Sequence, residues 1–364
     1  MLGVSASLGL RCGSVQRSAG AARRVGTGAF GLGYAAMTTR PVVFCSWHFP
    51  EAGLALLREV AEVRVWEGAE GAPRDVLLAA LRDADAVFAL PPCDRLDGAA
   101  MAGAPKLKVI SGFGVGFDYV DVAEATRRGI LVCNTPGTLT ETVADHTWAL
   151  LLAAARNVAQ GDRFVRAGRW KQYEPALLLG ADVCGATLGV VGLGAIGRAV
   201  ARRAAGFGAR VLYTGRARKP AAEAETGATF RSLDDLLAES DFVSINCALT
   251  PETRGLIGPR ELARMKPTAI LVNTARGAIV DQQALAAALK HGRLAAAGID
   301  VYQTEPLPPD DPLLECENAV LVPHLGSATH ATRARMSRVA AENIVAALQG
   351  RRPPHLVNPE AWRR

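Results

Sequence analysis

Thr187-Leu188-Gly189-Val190-Val191-Gly192-Leu193-Gly194-Ala195-Ile196-Gly197-Arg198-Ala199-Val200 is the stretch on which the reading of this chain turns. A short apolar run reads as a buried strand, Gly192, Gly194 and Gly197 form a G-x-G-x-x-G turn around Leu193, Ala195 and Ile196, and an Ala-rich segment to Phe207 continues as helix. Each glycine has its own physical reason. Gly192 permits the tight turn, Gly194 lets the backbone approach a pyrophosphate, and Gly197 allows helix to pack closely on strand. The helix N-terminal N–H groups are then left to hold the anion. In a chain with 37 glycines this spacing also arises by chance, as a purely structural turn. The strand before it and the helix after it favour a dinucleotide site.

Outward from the turn, short apolar runs alternate with helical stretches. Downstream, residues 211–214, 242–245, 269–273, 297–300 and 319–322 read as strands, and a last helix over 331–349 is expected to pack back on the first domain. Upstream, 42–45, 63–66, 86–90, 109–111 and 131–133 read as strands, with helices near 50–61, 73–82 and 120–128. A long helix over 140–155 bridges the two halves. The fold class expected is α/β, with two doubly wound, Rossmann-like parallel sheets, of which only the second carries the glycine turn.

Composition excludes several classes. The 364 residues suffice for two domains, and no run of about 18 apolar residues exists, so no membrane span is expected. The net charge of +6 is concentrated in residues 1–40, which hold five arginines and no acid; the remainder carries 36 basic against 35 acidic residues. No nucleic-acid face follows from such a balance. Seven scattered cysteines, Cys12, Cys45, Cys93, Cys133, Cys184, Cys247 and Cys316, form no C-x-x-C pair, which argues against a zinc site or disulfide framework and for a reducing compartment. Residues 1–36, rich in Gly, Ala, Ser and Arg, read as either a mitochondrial transit peptide or a disordered extension, and initiation at Met37 would yield a cytosolic form.

An NAD(H) site normally carries Asp or Glu at the end of its second strand to bind the ribose 2′-OH. That place holds Tyr213-Thr214-Gly215-Arg216-Ala217-Arg218-Lys219, with no carboxylate until Glu223. Arg216, Arg218 and Lys219 suit a 2′-phosphate, so NADP(H) is expected as cofactor, with NAD(H) and a merely solvated basic loop as the alternatives.

Three further stretches lie at the ends of expected strands, where open α/β sheets bind ligands: Val272 to Gly277, Gly298 to Pro306 and Val322 to Thr329. Reducing a 2-oxo acid needs a cation for the carboxylate and ketone and an acid for the forming alkoxide. Arg276 and His324 are the fitting residue types, and Glu305 suits the task of keeping His324 charged. Singly, each also reads as structural: a surface ion pair, a loop carboxylate before proline, a strand-end histidine.

In the order glycine turn, Arg276, Glu305, His324, the chain resembles the D-isomer-specific 2-hydroxyacid dehydrogenase family over about residues 41–359. Within it, residues 107–111, 115–118, 213–216 and 323–330 are similar to the animal glyoxylate/hydroxypyruvate reductases. The resemblance implies a discontinuous substrate domain, residues 37–137 plus 321–364, around a cofactor domain of residues 138–320. It implies that Val115 and Gly116 offer N–H groups to the substrate carboxylate beside Arg276, with His324 and Ser327 also at the substrate. Asp300 would lie near the nicotinamide carboxamide, Thr274 and Gly326 would line the cofactor, and two copies would pair through the cofactor domain. The reaction implied is NADPH-dependent reduction of hydroxypyruvate to D-glycerate and glyoxylate to glycolate, without a metal. Phe113 in the substrate loop and Tyr173, where a second tryptophan is expected, depart from the reductase pattern and bear on substrate choice. A 2-ketogluconate reductase and a dinucleotide-sensing, corepressor-like binding protein share the same motifs; the chain's ending soon after its last helix speaks against the corepressor.

Overall fold

The computed structural model describes residues 40–363; the transit-peptide reading of residues 1–36 lies outside them. The strands are β1 Val42–Cys45, β2 Glu62–Val65, β3 Ala86–Ala89, β4 Val109–Gly112 and β5 Leu131–Cys133, then β6 Thr187–Val191, β7 Arg210–Thr214, β8 Thr229–Phe230, β9 Phe242–Ile245, β10 Ile270–Asn273, β11 Ala296–Ile299 and β12 Ala319–Leu321. They form two sheets, in the orders β2-β1-β3-β4-β5 and β12-β11-β10-β9-β6-β7-β8, with every pairing parallel. This is the two-sheet α/β architecture that the alternation predicted.

Parallel strands covered by helices on both faces need continuous apolar runs. β3, β9 and β10 are accordingly buried at all four positions. Each sheet has an apolar cluster on either face: Leu236, Leu271 and Leu285 against Leu188, Val200 and Tyr213 in the second, Leu77, Leu96 and Ile110 against Leu57, Phe88 and Ile344 in the first.

The helix Thr140–Ala155 lies across β10, β11 and the helix Ala195–Ala204 that follows the glycine turn. Gly298 permits this closeness, since a Cβ there would stand 3.1 Å from Leu150 Cβ. The final helix, His330–Leu348, returns to the first sheet: Ser111 Oγ donates to Ala340 O at 2.9 Å, and a Cβ on Gly53 would stand 2.3 Å from Ser337 O. Asn358 completes the return, accepting from Val132 N at 2.8 Å and donating to Ile130 O at 2.9 Å.

Strand limits differ from expectation by a residue at some ends. Several short elements escape sequence reading, among them these three. Gly98–Ala102 is a five-residue helix started by Asp97, whose side chain accepts from Ala100 N. Val158–Arg166 buries no residue, and its Val158 and Val165 are exposed. β8 is two residues long, and its pairing with β7 depends on chain distant in sequence. Among the described residues no helix is long and apolar enough to cross a membrane, and no cluster of three metal-ligating side chains occurs.

Candidate active site

In the second sheet the chain runs from β6 outward to β8 and then crosses to β9 on the other side. That reversal opens a crevice beyond the carboxyl ends of β6 and β9, where doubly wound sheets take their ligands. The glycine turn forms one wall. Gly192 adopts φ +99°, and a Cβ there would lie 2.7 Å from Cys247 N across the crevice. A Cβ on Gly197 would lie 2.1 Å from Gly192 O and 3.2 Å from Val190 Cγ1, so only glycine lets the helix sit this close to β6. A Cβ on Gly194 would meet nothing within 4 Å, because that side of the turn faces the cleft. The helix Ala195–Ala204 begins there without a side-chain cap, leaving its first N–H groups for a ligand. On the opposite wall Asn246 Nδ2 is buried without a partner among the described residues. An open cradle of amides and an orphaned donor in one cleft fit the phosphates and ribose hydroxyls of a dinucleotide.

The basic loop after β7 is less uniform than its sequence suggests. Tyr213, fully buried, donates from its hydroxyl to Glu223 Oε1 at 2.6 Å and accepts from Lys219 N at 2.7 Å. Arg218 turns onto the same Glu223, at 2.9 Å through both Nε and Nη2, and with Tyr213 holds its carboxyl below the usual range. Lys219 Nζ reaches the glycine turn and donates to Leu193 O at 3.1 Å. Arg216 is exposed and makes no hydrogen bond or ion pair among the described residues. Glu223, ten residues past Tyr213, is thus folded back to the strand end, where Arg218 neutralises it.

Arg276 follows β10. Asn273 shapes its loop by accepting from Ala275 N and donating to Arg276 O, both at 3.0 Å. The guanidinium then spans the two sheets: Nε donates to Asp118 Oδ1 at 3.0 Å, Nη1 donates to Ala275 O at 2.9 Å, and Nη2 lies so close over Gly116 that a Cβ there would stand 1.6 Å from it. The N–H groups of Val115 and Gly116 donate to nothing among the described residues. Asn134 Nδ2 holds Val115 O at 2.8 Å, fixing the loop that presents them. Two amides without acceptors among the described residues therefore stand in the loop beside Arg276 Nη2.

His324 sits after β12 with φ +53°, a left-handed backbone unusual for a side chain of this size. Asp300 enforces it: its carbonyl accepts from His324 N at 2.9 Å, and its two carboxylate oxygens accept from Leu325 N and Gly326 N at 2.5 and 2.9 Å. His324 Nδ1 meets Glu305 Oε2 at 2.7 Å, and Glu305 Oε1 accepts from Tyr302 N at 3.0 Å. Tyr302, whose phenol burial pushes up to about 12, donates to Val322 O at 3.0 Å and braces the same loop. With Nδ1 directed at a carboxylate, Nε2 is the nitrogen left for the cleft.

One cleft of about 440 Å³ brings together the Gly194–Ile196 side of the turn, Val115, Thr274, Arg276, Asp300, His324, Gly326 and Ser327. A neighbouring cleft of about 680 Å³ lies on the far side of Arg276, bordered by Asp118, Asp121, Arg254 and Glu305. Phe113 lines the first cleft with its ring 5.2 Å from that of Phe49, whereas Tyr173 is 82% exposed. Thr274 Oγ1 is held by Thr147 Oγ1 at 2.8 Å. Sequence reading did not single out Asp118, Asn246 or His146, whose Nε2 stands 3.2 Å from Asp300 Oδ1 without hydrogen-bond geometry. Only Asp118 carried any signal, as part of the loop around Gly116.

Residues 148–326 match the NAD-binding domain of the D-isomer specific 2-hydroxyacid dehydrogenases. The glyoxylate reductase of Korarchaeum cryptofilum is 51% identical over 322 residues, covering 88% of this chain and 97% of that protein. That of Thermococcus kodakarensis is 50% identical over 325 residues, with the same coverage. A crystal structure of a Thermus thermophilus protein superposes with a TM-score of 0.81 at 48% identity, over 87% of this chain and 99% of that one. An NADPH-dependent glyoxylate/hydroxypyruvate reductase of Sinorhizobium meliloti, solved with NADP and malonate, superposes with a TM-score of 0.80 at 33% identity, over 90% and 99% of the two chains. The chain belongs to the D-isomer specific 2-hydroxyacid dehydrogenase family and is an NAD(P)-dependent enzyme of that class.

Proposed function

We propose that the enzyme uses NADPH to reduce small 2-oxo acids, glyoxylate to glycolate and hydroxypyruvate to D-glycerate. The observation that carries this reading is one cleft lined by the glycine turn, Val115, Arg276 and His324, with Gly116 beside Arg276 Nη2 and Glu305 on His324 Nδ1. Relatives named glyoxylate reductase, at about half identity over nearly their whole length, support the substrate class.

The substrate carboxylate takes the two amides and Arg276, which also draws electron density from the carbonyl oxygen. Bound NADPH supplies the hydride for C2. His324 delivers a proton from Nε2 to the oxygen that gains charge, while Glu305 on Nδ1 fixes the tautomer and balances the imidazolium. Ser327 borders the substrate. Thr274, Asp300 and Gly326 shape the nicotinamide end, Asp300 through the backbone it clamps. Residues 37–137 plus 321–364 act as the substrate domain and 138–320 as the cofactor domain. Arg216 receives the 2′-phosphate, with Lys219 and Arg218 ordering the loop around it. Free cysteines throughout the described residues accord with a reducing compartment, cytosolic or mitochondrial. Two copies pair through the exposed apolar segment around Val165, Trp170, Tyr173 and Leu179.

A second reading, a longer hydroxylated 2-oxo acid such as 2-ketogluconate, is favoured by the adjoining cleft of about 680 Å³. Oxidation of NADPH and NADH by the purified protein with glyoxylate, hydroxypyruvate and 2-ketogluconate tests both. Faster turnover of the two small acids with NADPH is expected, falling roughly 10²-fold in His324→Ala. No oxidation with any of them would overturn the proposed substrate class, and preference for 2-ketogluconate would replace the substrate.

A further inference from the structure

We infer that Asp118 is a positioning residue, which holds Arg276 in the orientation that presents Nη2 beside Gly116. The inference deepens the proposed function and rests on its reading of Arg276 as the carboxylate ligand. The two residues lie 158 positions apart, Asp118 in the loop after β4 of the first sheet and Arg276 after β10 of the second. Their contact is a direct side-chain link from one sheet to the other at the cleft.

Three observations give the link its purpose. The Arg276 backbone is fixed from its own side, since a Cβ on Gly277 would stand 1.9 Å from Tyr302 C. The far end of a long, flexible side chain needs a separate anchor, and apart from the Ala275 carbonyl next to it in sequence that anchor is Asp118 Oδ1 on Nε. Pairing Nε with Asp118 and Nη1 with the Ala275 carbonyl leaves Nη2, the nitrogen over Gly116, for substrate.

Arg276 borders the cleft of about 680 Å³ together with Asp121 and Glu305. Released from Asp118, its guanidinium is free to rotate toward those carboxylates. Pairing with Glu305 would also compete for the carboxylate that holds His324. A side-chain anchor at Nε therefore protects both halves of the site. The pair is only partly covered, at 23% and 24% exposure, so its value lies in orientation rather than in global stability.

A contrary effect acts at the same place. The Asp118 charge lies close to the expected position of the substrate carboxylate and opposes it. If repulsion dominated, removing Asp118 would lower KM. If orientation dominates, removal raises KM and lowers kcat, because an angstrom of misplacement costs on the order of 10²-fold.

The variants Asp118→Ala and Asp118→Asn separate these effects, since asparagine keeps an oxygen acceptor for Nε and drops the charge. Asp118→Ala is expected to lose on the order of 10² in kcat/KM for glyoxylate, with the NADPH Kd from fluorescence titration changed less than about twofold. Asp118→Asn should recover most of the loss. In an Arg276→Ala background the further change Asp118→Ala should cost less than about twofold, because Asp118 acts through Arg276. The inference is overturned by Asp118→Ala with parental or improved kcat/KM, by Asp118→Asn as impaired as Asp118→Ala, by additive losses in the double variant, or by lost NADPH binding. A parent enzyme inactive on every 2-oxo acid overturns the functional reading as well; an active parent with an indifferent Asp118→Ala overturns this inference alone.

Discussion

Of the three cations that follow β7, Arg218 is drawn onto Glu223, Lys219 is tied to the carbonyl of Leu193, and Arg216 makes no hydrogen bond or ion pair among the described residues, acting only from a distance on Glu252. A cation already paired gives little to a new anion, because its gain must be set against the bond it breaks. Arg216 is therefore the side chain through which a 2′-phosphate would be recognised. Replacing it by aspartate should raise the KM for NADPH by roughly 10-fold or more, the scale of one charge-assisted hydrogen bond, and leave that for NADH nearly unchanged. Steady-state kinetics with both cofactors checks this, and equal effects on the two would remove Arg216 from cofactor choice. The residue types of this loop were legible in sequence. Their division of labour was not, since it depends on Glu223 folding back to Tyr213.

At the scale of elements, the strand β6, the turn and the helix Ala195–Ala204 form one unit whose glycines are not interchangeable. Gly197 is a packing residue and Gly194 a ligand-facing one, and alanine distinguishes them. In Gly197→Ala the new methyl would press on Gly192 O at 2.1 Å, so helix and strand must part, at the usual overpacking cost of about 1–3 kcal/mol. Gly194→Ala meets nothing within 4 Å and keeps an extended backbone, so it should leave the melting temperature unchanged while filling space needed by the pyrophosphate. Calorimetry and NADPH titration of the two variants should show lost stability in the first and weakened binding without lost stability in the second. A destabilised Gly194→Ala that still binds NADPH normally would reverse the assignment. Local periodicity was sufficient for these elements. Val158–Arg166 went unread: it is short, buries no residue, and leaves Val158 and Val165 exposed.

The molecule as a whole places the carboxyl ends of both sheets around one cleft: β4 sends the loop with Gly116 and Asp118, while β6, β9, β10 and β12 send the glycine turn, Asn246, Arg276 and His324. The helix His330–Leu348 returns the chain to the first sheet directly after His324, so this histidine stands at the crossing between the two. Away from the cleft, Val165, Trp170, Tyr173 and Leu179 are 54–82% exposed, an apolar surface unusual for a protein that works alone. Light scattering should give about 76 kDa, twice the 38.2 kDa chain, and Val165→Asp with Leu179→Asp should halve it. A parent protein that scatters as a monomer at micromolar concentration would exclude the pairing.

The sequence by itself determined the alternation of strand and helix, the place of the dinucleotide turn and the residue types of Arg276, Glu305 and His324. These follow from local rules: apolar periodicity, the steric freedom of glycine, and the position of loops at strand ends. Tertiary structure alone decided which side chains meet. It joined Asp118 to Arg276 across 158 residues, folded Glu223 back onto Arg218, and used Asp300 to clamp the left-handed backbone of His324. The physical reason is the same in each case. A hydrogen bond acts over about 3 Å, and nothing in a linear order of residues records which distant groups the packing of two sheets will bring within that range.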